Sequence, residues 1–162
     1  MKFNMLSVLA IIVLPLAAWS AERTVWLDEL DISLIQQGWG TPKAGKAVND
    51  KPMMLGGKTF EHGVGTHAEG VMYVALDGQA KRFQAMVGIN DKAGGPGSAS
   101  IKIYSDSTLL FESSVFRVGD APIPVDIDIS GAKQMMLIMK DGGDDVSFDH
   151  VNLADARFIV EG

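Results

Sequence analysis

Two histidines, His62 and His67, lie in the stretch Gly57-Lys58-Thr59-Phe60-Glu61-His62-Gly63-Val64-Gly65-Thr66-His67-Ala68, which runs into Val71-Met72-Tyr73-Val74-Ala75-Leu76. Imidazole can ligate a metal, move a proton or hydrogen-bond a ligand near neutral pH. These two are five residues apart, and in extended chain an odd offset places side chains on opposite faces. The spacing argues against one shared metal, and it is not the i, i+4 pair of a helical zinc protease. Gly63 and Gly65 clear a strip of backbone, so a neighbour can approach closely there or the strand can bend. Two readings stay open: satisfied structural histidines in a bent strand, or one imidazole as a polar group at a ligand site.

Two later loops carry the remaining polar chemistry. One is Gly88-Ile89-Asn90-Asp91-Lys92-Ala93-Gly94-Gly95. The other runs Lys140-Asp141-Gly142-Gly143-Asp144-Asp145-Val146-Ser147-Phe148-Asp149-His150 and holds four aspartates within nine residues. Hard oxygen donors on a glycine-hinged loop suit calcium. An EF-hand is excluded: counted from Asp141, position three is Gly143, position six Val146 and position twelve Asn152. A calcium site of another geometry and a solvated acidic turn both fit. Trp39, flanked by Gly38 and Gly40, either plugs one end of a sandwich or offers a stacking platform to a ligand.

Catalytic motifs are scarce. No serine sits in a Gly-x-Ser-x-Gly elbow, and no phosphate-cradling glycine loop leads into a lysine. Carboxylates are too numerous for a glycosidase acid/base pair to be dismissed by counting. A sandwich of this length, however, rarely encloses a deep catalytic cleft.

The chain has 162 residues, enough for one domain with a substantial core. Its formal net charge of −6 argues against nucleic acid or an anionic membrane as partner. It has no cysteine, which excludes disulfides, a thiolate nucleophile, a cysteine zinc site and a lipoprotein anchor. Lys2, the apolar run Met5 to Leu14, Pro15 and the small residues Ala17-Ala18-Trp19-Ser20-Ala21 form a secretory signal-peptide pattern. The run is shorter than the ~20 residues of a comfortable membrane span. Residues 1–20 are thus expected to be a signal peptide cut after Ser20, with Ala21 the next candidate, and residues 22–162 to be the mature module. The protein is expected to be secreted or periplasmic, with no membrane association after cleavage.

Beyond Thr24-Val25-Trp26-Leu27, a short strand, and a helical turn or two between Leu30 and Gln37, period-two alternation dominates. Phe83, Ala85, Val87 and Ile89 alternate with Arg82, Gln84, Met86 and Gly88, and Val125, Ile127 and Ile129 alternate with aspartates. Such strands have one buried and one wet face. Thr108 to Glu112 and Met135 to Met139 are continuous apolar runs, expected to be covered on both faces. Glycine, proline and aspartate clusters separate the strands. The fold class is all-β, a jelly-roll β-sandwich with little helix.

Taken in order, Trp39-Gly40, Gly57-Lys58-Thr59-Phe60, His62 to Ala68, Arg82-Phe83, Val87 to Asp91, Asp141-Gly142-Gly143-Asp144, Asp149-His150 and Ala154-Asp155-Ala156 resemble the NPCBM-type module, carbohydrate-binding module family 51. The resemblance covers nearly the whole mature chain. It implies a β-sandwich of the galactose-binding-domain-like type that binds galactose-containing glycans, carries calcium and is appended to secreted glycoside hydrolases, α-galactosidases among them. Members often carry Trp where this chain has Phe148 and Leu153, and Asp-Asp where it has Asn90-Asp91. The expected function is therefore a secreted, non-catalytic module for galactose-type glycans. The sugar-site candidates are Trp39, His62, Asn90, Asp91, Asp149 and His150, and the calcium candidates Asp141, Asp144 and Asp149. Rival readings are the front end or accessory module of a larger glycoside hydrolase, with a catalytic domain as partner, and a structural or protein-interaction sandwich.

Overall fold

Alternation along the chain builds the molecule as two facing sheets. The computed structural model describes residues 10–15 and 21–161; the expected cleavage site after Ser20 lies outside the described residues. In chain order the strands are β1 (Ile12–Val13), β2 (Arg23–Trp26), β3 (Gln36–Gln37), β4 (Lys43–Ala44), β5 (Met53–Leu55), β6 (Lys58–Phe60), β7 (Gly63–His67) and β8 (Gly70–Ala75). Then come β9 (Ala80–Ile89), β10 (Ser98–Ser105), β11 (Thr108–Glu112), β12 (Phe116–Arg117), β13 (Ile123–Asp128), β14 (Gln134–Asp141) and β15 (His150–Val160). Helix among the described residues is confined to single 3-10 turns at Leu27–Glu29 and Ile32–Leu34. No helix among them is long and apolar enough to cross a membrane.

One sheet has seven strands in the order β1-β8-β14-β10-β11, with β3 added to β8 and β12 to β10. The other has six, ordered β13-β9-β15-β7-β4, with β2 added to β15. Met72 and Val74 of β8, Ile101 and Ile103 of β10 and Leu137 of β14 face Phe83 and Val87 of β9 and Leu153 and Phe158 of β15 in one apolar core. The expected all-β sandwich is what the chain forms. Residues 10–15 of the expected signal peptide lie along β8, with Ile12 and Leu14 buried.

The wet face expected for β9 is only partly wet. A hairpin of β5 and β6 lies over it, and Met53, Leu55 and Phe60 pack with Ala154 and Met86 in a second apolar cluster. Gly88 is what admits Leu55: a Cβ there would lie 2.8 Å from Leu55 Cδ2. The continuous apolar runs are not covered on both faces. β11 is an edge strand whose Thr108, Leu109, Leu110 and Glu112 are exposed. In β14, buried Met135, Leu137 and Met139 alternate with half-buried Met136 and Ile138. An apolar run reports hydrophobicity; the number of covered faces is set by what packs above it.

Gly63 and Gly65 serve close approach, and the approaching group is the chain itself. A Cβ on Gly65 would stand 2.1 Å from the Lys46 carbonyl oxygen, and one on Gly63 2.4 Å from that of Leu153. Backbone cannot retreat as a flexible side chain can, so Gly65→Ala should destabilise by about 1–3 kcal/mol or more, as overpacking does. Urea denaturation checks this: a midpoint unchanged from wild type would show that the 46–47 segment moves aside freely.

Candidate functional site

The register of β15 against β7 sets the site. His150 opens β15 and pairs in register with His67, the last residue of β7. Their ring centroids are 5.3 Å apart. Trp39 completes a triangle, 5.2 Å from His67 and 5.5 Å from His150, and stacks on the latter at 19°. Both imidazoles are buried, whereas Trp39 is 53% exposed. It is therefore not the plug of the sandwich; its ring forms an outward platform. A local polar frame holds it there. Gln37 Nε2 donates to the Trp39 carbonyl at 2.8 Å, Thr66 Oγ1 donates to Gln37 Oε1 at 2.6 Å, and Gly38 N donates to the Glu69 carbonyl.

Around the three rings lie two shallow depressions of about 280 and 290 Å³. Glu69, Asp141 and Val146 border one, and Val146, Ser147 and Phe148 the other. Phe148 is 40% exposed and holds a positive φ of 64°, which a bulky side chain rarely adopts. Its ring sits on Gly95, where a Cβ would come within 2.4 Å of Phe148 Cδ2. The aromatic at position 148 is thus part of the site wall. Leu153 is fully buried in the core and reaches no ligand.

The imidazoles have distinct roles. His67 Nδ1 bonds the Ala68 carbonyl, which can only accept, so Nδ1 carries the hydrogen and Nε2 is left with a lone pair. His150 Nδ1 is buried without a partner. His67 thus brings an acceptor nitrogen to the cluster, beside the polar ring of His150. Both rings are kept neutral: burial lowers the His67 pKa, and burial, with the repulsion a protonated His67 would exert, lowers that of His150 from 6.5 to about 4.

The other sequence-predicted residues sit away from this triangle of rings or beneath it. His62 stacks on Trp26 with centroids 4.1 Å apart, and its Nδ1 lies 3.2 Å from Asp28 Oδ2. Asn90 is fully buried; its Oδ1 accepts from Met54 N at 2.8 Å and from Asn152 Nδ2 at 3.0 Å. Asp91 caps the β5–β6 turn, accepting from Gly56 N and Gly57 N. Asn90 and Asp91 therefore fasten the hairpin to the sheet. The sequence reading singled out both histidines of the motif but carried only His62 among the sugar-site candidates, and it passed over Glu69 and Gln37. His67 stood in the same motif as His62, but face alternation could not say which face would meet Trp39.

The aspartates are largely engaged within their own loop. Asp141 Oδ1 accepts from Gly143 N, and Asp145 Oδ1 from Ser147 N. Asp144 Oδ1 accepts from Ser98 Oγ and Asp149 Oδ1 from Ser98 N, each at 2.8 Å. No three His, Asp or Glu side chains among the described residues are grouped to hold a metal ion. Asp149 is fully buried and its Oδ2 has no hydrogen-bond partner among the described residues. Burial raises its pKa to about 6; the Ser98 N–H opposes this, and neighbouring Asp144, Asp141 and Asp145 add to it.

With this geometry in place, the similarity to known proteins can be read. The NPCBM/NEW2 domain matches residues 23–159. The chain belongs to that family. Over 150 residues it is 28% identical to the alpha-1,3-galactosidase B of Akkermansia muciniphila, covering 90% of this chain and 19% of that one. The chain thus spans about a fifth of that relative. A family 51 carbohydrate-binding module of a Clostridium perfringens family 95 glycoside hydrolase, solved in complex with methyl-galactose, superposes with a TM-score of 0.78 at 26% identity. That match covers 84% of this chain and 99% of the other. A second such module from a Clostridium perfringens protein, solved with GlcNAc, gives a TM-score of 0.79 at 25% identity over 85% of this chain and 32% of that one. This NPCBM chain is homologous to non-catalytic carbohydrate-binding modules.

The titrations yield a signed expectation. The folded values of both imidazoles are lowered, so their contribution to stability is present above about 6.5 and is lost as pH falls, for His150 through about 4. The folded value of Asp149 is raised, so its contribution is present below 3.8 and is lost as pH rises through about 6. The two oppose each other between those limits. In thermal melts of metal-free protein, the lead of wild type over His150→Gln should shrink as pH falls from 7 to about 4. Its lead over Asp149→Asn should shrink as pH rises from about 4 to 7. Parallel curves for either pair would refute that assignment.

Proposed function

We propose that the Trp39, His67 and His150 cluster binds a terminal galactose-type sugar on a glycan outside the cell. The observation that carries this is the triangle of rings with one half-exposed indole, because it joins a flat apolar surface to two polar imidazoles. A galactose ring presents a patch of C–H groups on one face, suited to an aromatic platform, and hydroxyls at its edge, suited to the paired imidazole nitrogens. Depressions of about 280 and 290 Å³ accommodate one sugar ring, being below most drug-sized sites of ~300–1,000 Å³. The methyl-galactose complex of the related module and the galactosidase relative support the same sugar class. We take the module to be exported with residues 1–20 removed, and to act beside a glycoside hydrolase catalytic domain.

Affinity should be weak, in the range from tens of micromolar to millimolar, because a monosaccharide has few atoms to grip. In calorimetry against methyl-galactoside, Trp39→Ala and His150→Ala should each lose about 1–3 kcal/mol, roughly a ten- to hundredfold drop. His62→Ala should bind as wild type, since its ring is held by Trp26 and Asp28. Undiminished binding by both site variants, each shown to be folded, moves the site elsewhere. A folded wild type that binds no glycan on an array favours the structural sandwich instead.

For calcium we propose Asp149 as the anchoring ligand. Its buried Oδ2 lacks a partner, and the carboxylates of Asp141, Asp144 and Asp145 nearby leave the loop short of positive charge. A cation bound only by the folded form raises stability by mass action. The melting temperature should therefore fall on chelation at pH 7, and Asp149→Asn should abolish the difference. Superimposable melts of the wild type with calcium and with chelator remove the metal from this reading.

A further inference from the structure

The three rings of the site come from two different sheets. His67 ends β7 and His150 opens β15, both in the six-stranded sheet, whereas Trp39 follows β3, which pairs with β8 of the seven-stranded sheet. The chain then crosses over, and β4 pairs with β7. Trp39 thus lies on a crossover between the sheets. The sheets meet through apolar side chains, and apolar contact is non-directional. It holds the sheets together without fixing where a loop at their margin points its ring. Burial does not seat the indole either, since Trp39 is 53% exposed. The polar contacts of the crossover do. The Trp39 carbonyl can only accept, so the Gln37 amide must turn Nε2 to it at 2.8 Å and Oε1 to Thr66 Oγ1 at 2.6 Å. Thr66 is fully buried in β7, directly before His67. Its hydroxyl therefore fixes the amide that fixes the Trp39 backbone, from the same strand that carries one of the imidazoles.

We propose that Thr66 is a positioning residue for the sugar site: buried beyond the reach of any ligand, it sets the indole of Trp39 against the two imidazoles through Gln37. The inference rests on the sugar-binding reading of the triangle. A shallow site draws its affinity from groups already in place, and a platform that must be ordered on binding forfeits part of the contact energy. Without the Thr66 hydroxyl, Gln37 Oε1 loses its donor, the amide is free to turn, and the Trp39 carbonyl loses its tie. The fold does not depend on this relay. β3 stays paired to β8 and β4 to β7, and Gly38 N still donates to the Glu69 carbonyl at 3.1 Å. The loss therefore falls on sugar affinity and on the order of the indole. Thr66 and Gln37 act in series, so removing both costs no more than removing one.

The test compares Thr66→Val, which keeps the branched shape and removes the hydroxyl, with Thr66→Ser, which keeps the hydroxyl. In calorimetry against methyl-galactoside, Thr66→Val should bind about five- to tenfold more weakly, the size of one lost hydrogen bond, and Thr66→Ser within about twofold of wild type. Gln37→Met should match Thr66→Val, and the double variant should bind no more weakly than either. Should Thr66→Val not fold, Gln37→Met carries the same expectation at a half-buried position. Val125→Ala, a core truncation in β13 at the other edge of the six-stranded sheet, should lower the melting temperature and leave affinity unchanged. A second readout needs no sugar. In heteronuclear relaxation of nitrogen-labelled protein, the indole N–H of Trp39, assigned by its loss in Trp39→Phe, should become more mobile in Thr66→Val and Gln37→Met and not in Thr66→Ser, while that of Trp26 stays unchanged. A folded Thr66→Val that binds as tightly as wild type overturns the proposal, as does an indole equally rigid in every variant. A folded wild type that binds no galactoside overturns it too; a loosened Trp39 indole in the same samples then shows that the sugar-binding reading failed and the relay did not.

Discussion

Strand β15 is buried on both faces from His150 to Ala154 and paired on both edges, by β7 and β9. A strand so enclosed has one permitted register, because a slip of one residue would exchange every inward and outward side chain. That register fixes His150 opposite His67, Asn152 opposite Gly65 and Gly88, and Ala154 opposite Gly63 and Met86. The glycines on the flanking strands answer neighbouring elements: the 46–47 backbone presses on Gly65 and Leu55 on Gly88. A bulge after Ala154, with Asp155 at a φ of 48°, then shifts the pairing before Arg157, and Asp155 N donates to the His62 carbonyl. The site end of β15 is thus tied to the core, and its imidazole has little freedom to move.

The polar groups below the rings form a frame that keeps loops in place without offering many groups to a ligand. Ser98 holds both Asp144 and Asp149, Asn90 holds Met54 and Asn152, and Asp91 holds the glycines of the β5–β6 turn. Loops on a rigid scaffold are where binding groups gather, but a loop must first satisfy its own backbone. The acidic stretch does that with its first carboxylate oxygens. Asp149 is the exception, since it gives one oxygen to Ser98 and has a second, buried, with no partner. It is where a proton or a cation has most to offer.

Much of the fold was legible because β-sheet periodicity and turn chemistry are local. The alternation of Phe83, Ala85, Val87 and Ile89 identified a core strand, and the order of glycine and histidine motifs identified the sandwich. Two features of the site were not local. Whether Trp39 plugs or projects depends on Gln37 reaching both Thr66 and the Trp39 carbonyl, contacts that no spacing reveals. Whether Asn90 meets a ligand or a hairpin depends on β5 lying across β9, which hydrophobicity alone does not announce. The edge exposure of β11 was hidden for the same reason: Leu109 and Leu110 look like core residues until the strand order is known.

The chemistry of the rings matches an uncharged ligand. A charged histidine here would be desolvated, and repelled by its neighbour were that charged too, so burial keeps the two rings neutral across the range where most proteins work. Glu69 and Asp141 beside the depression add negative charge without a lysine or arginine among the lining residues, an environment unfavourable to an acidic sugar. A shallow, rigid site of this kind gains from preorganisation and has little contact area, so a single engagement stays weak. Linkage to a second binding or catalytic unit converts such weak contacts into retention through effective concentration. A domain that spans about a fifth of its galactosidase relative is physically suited to that division of labour.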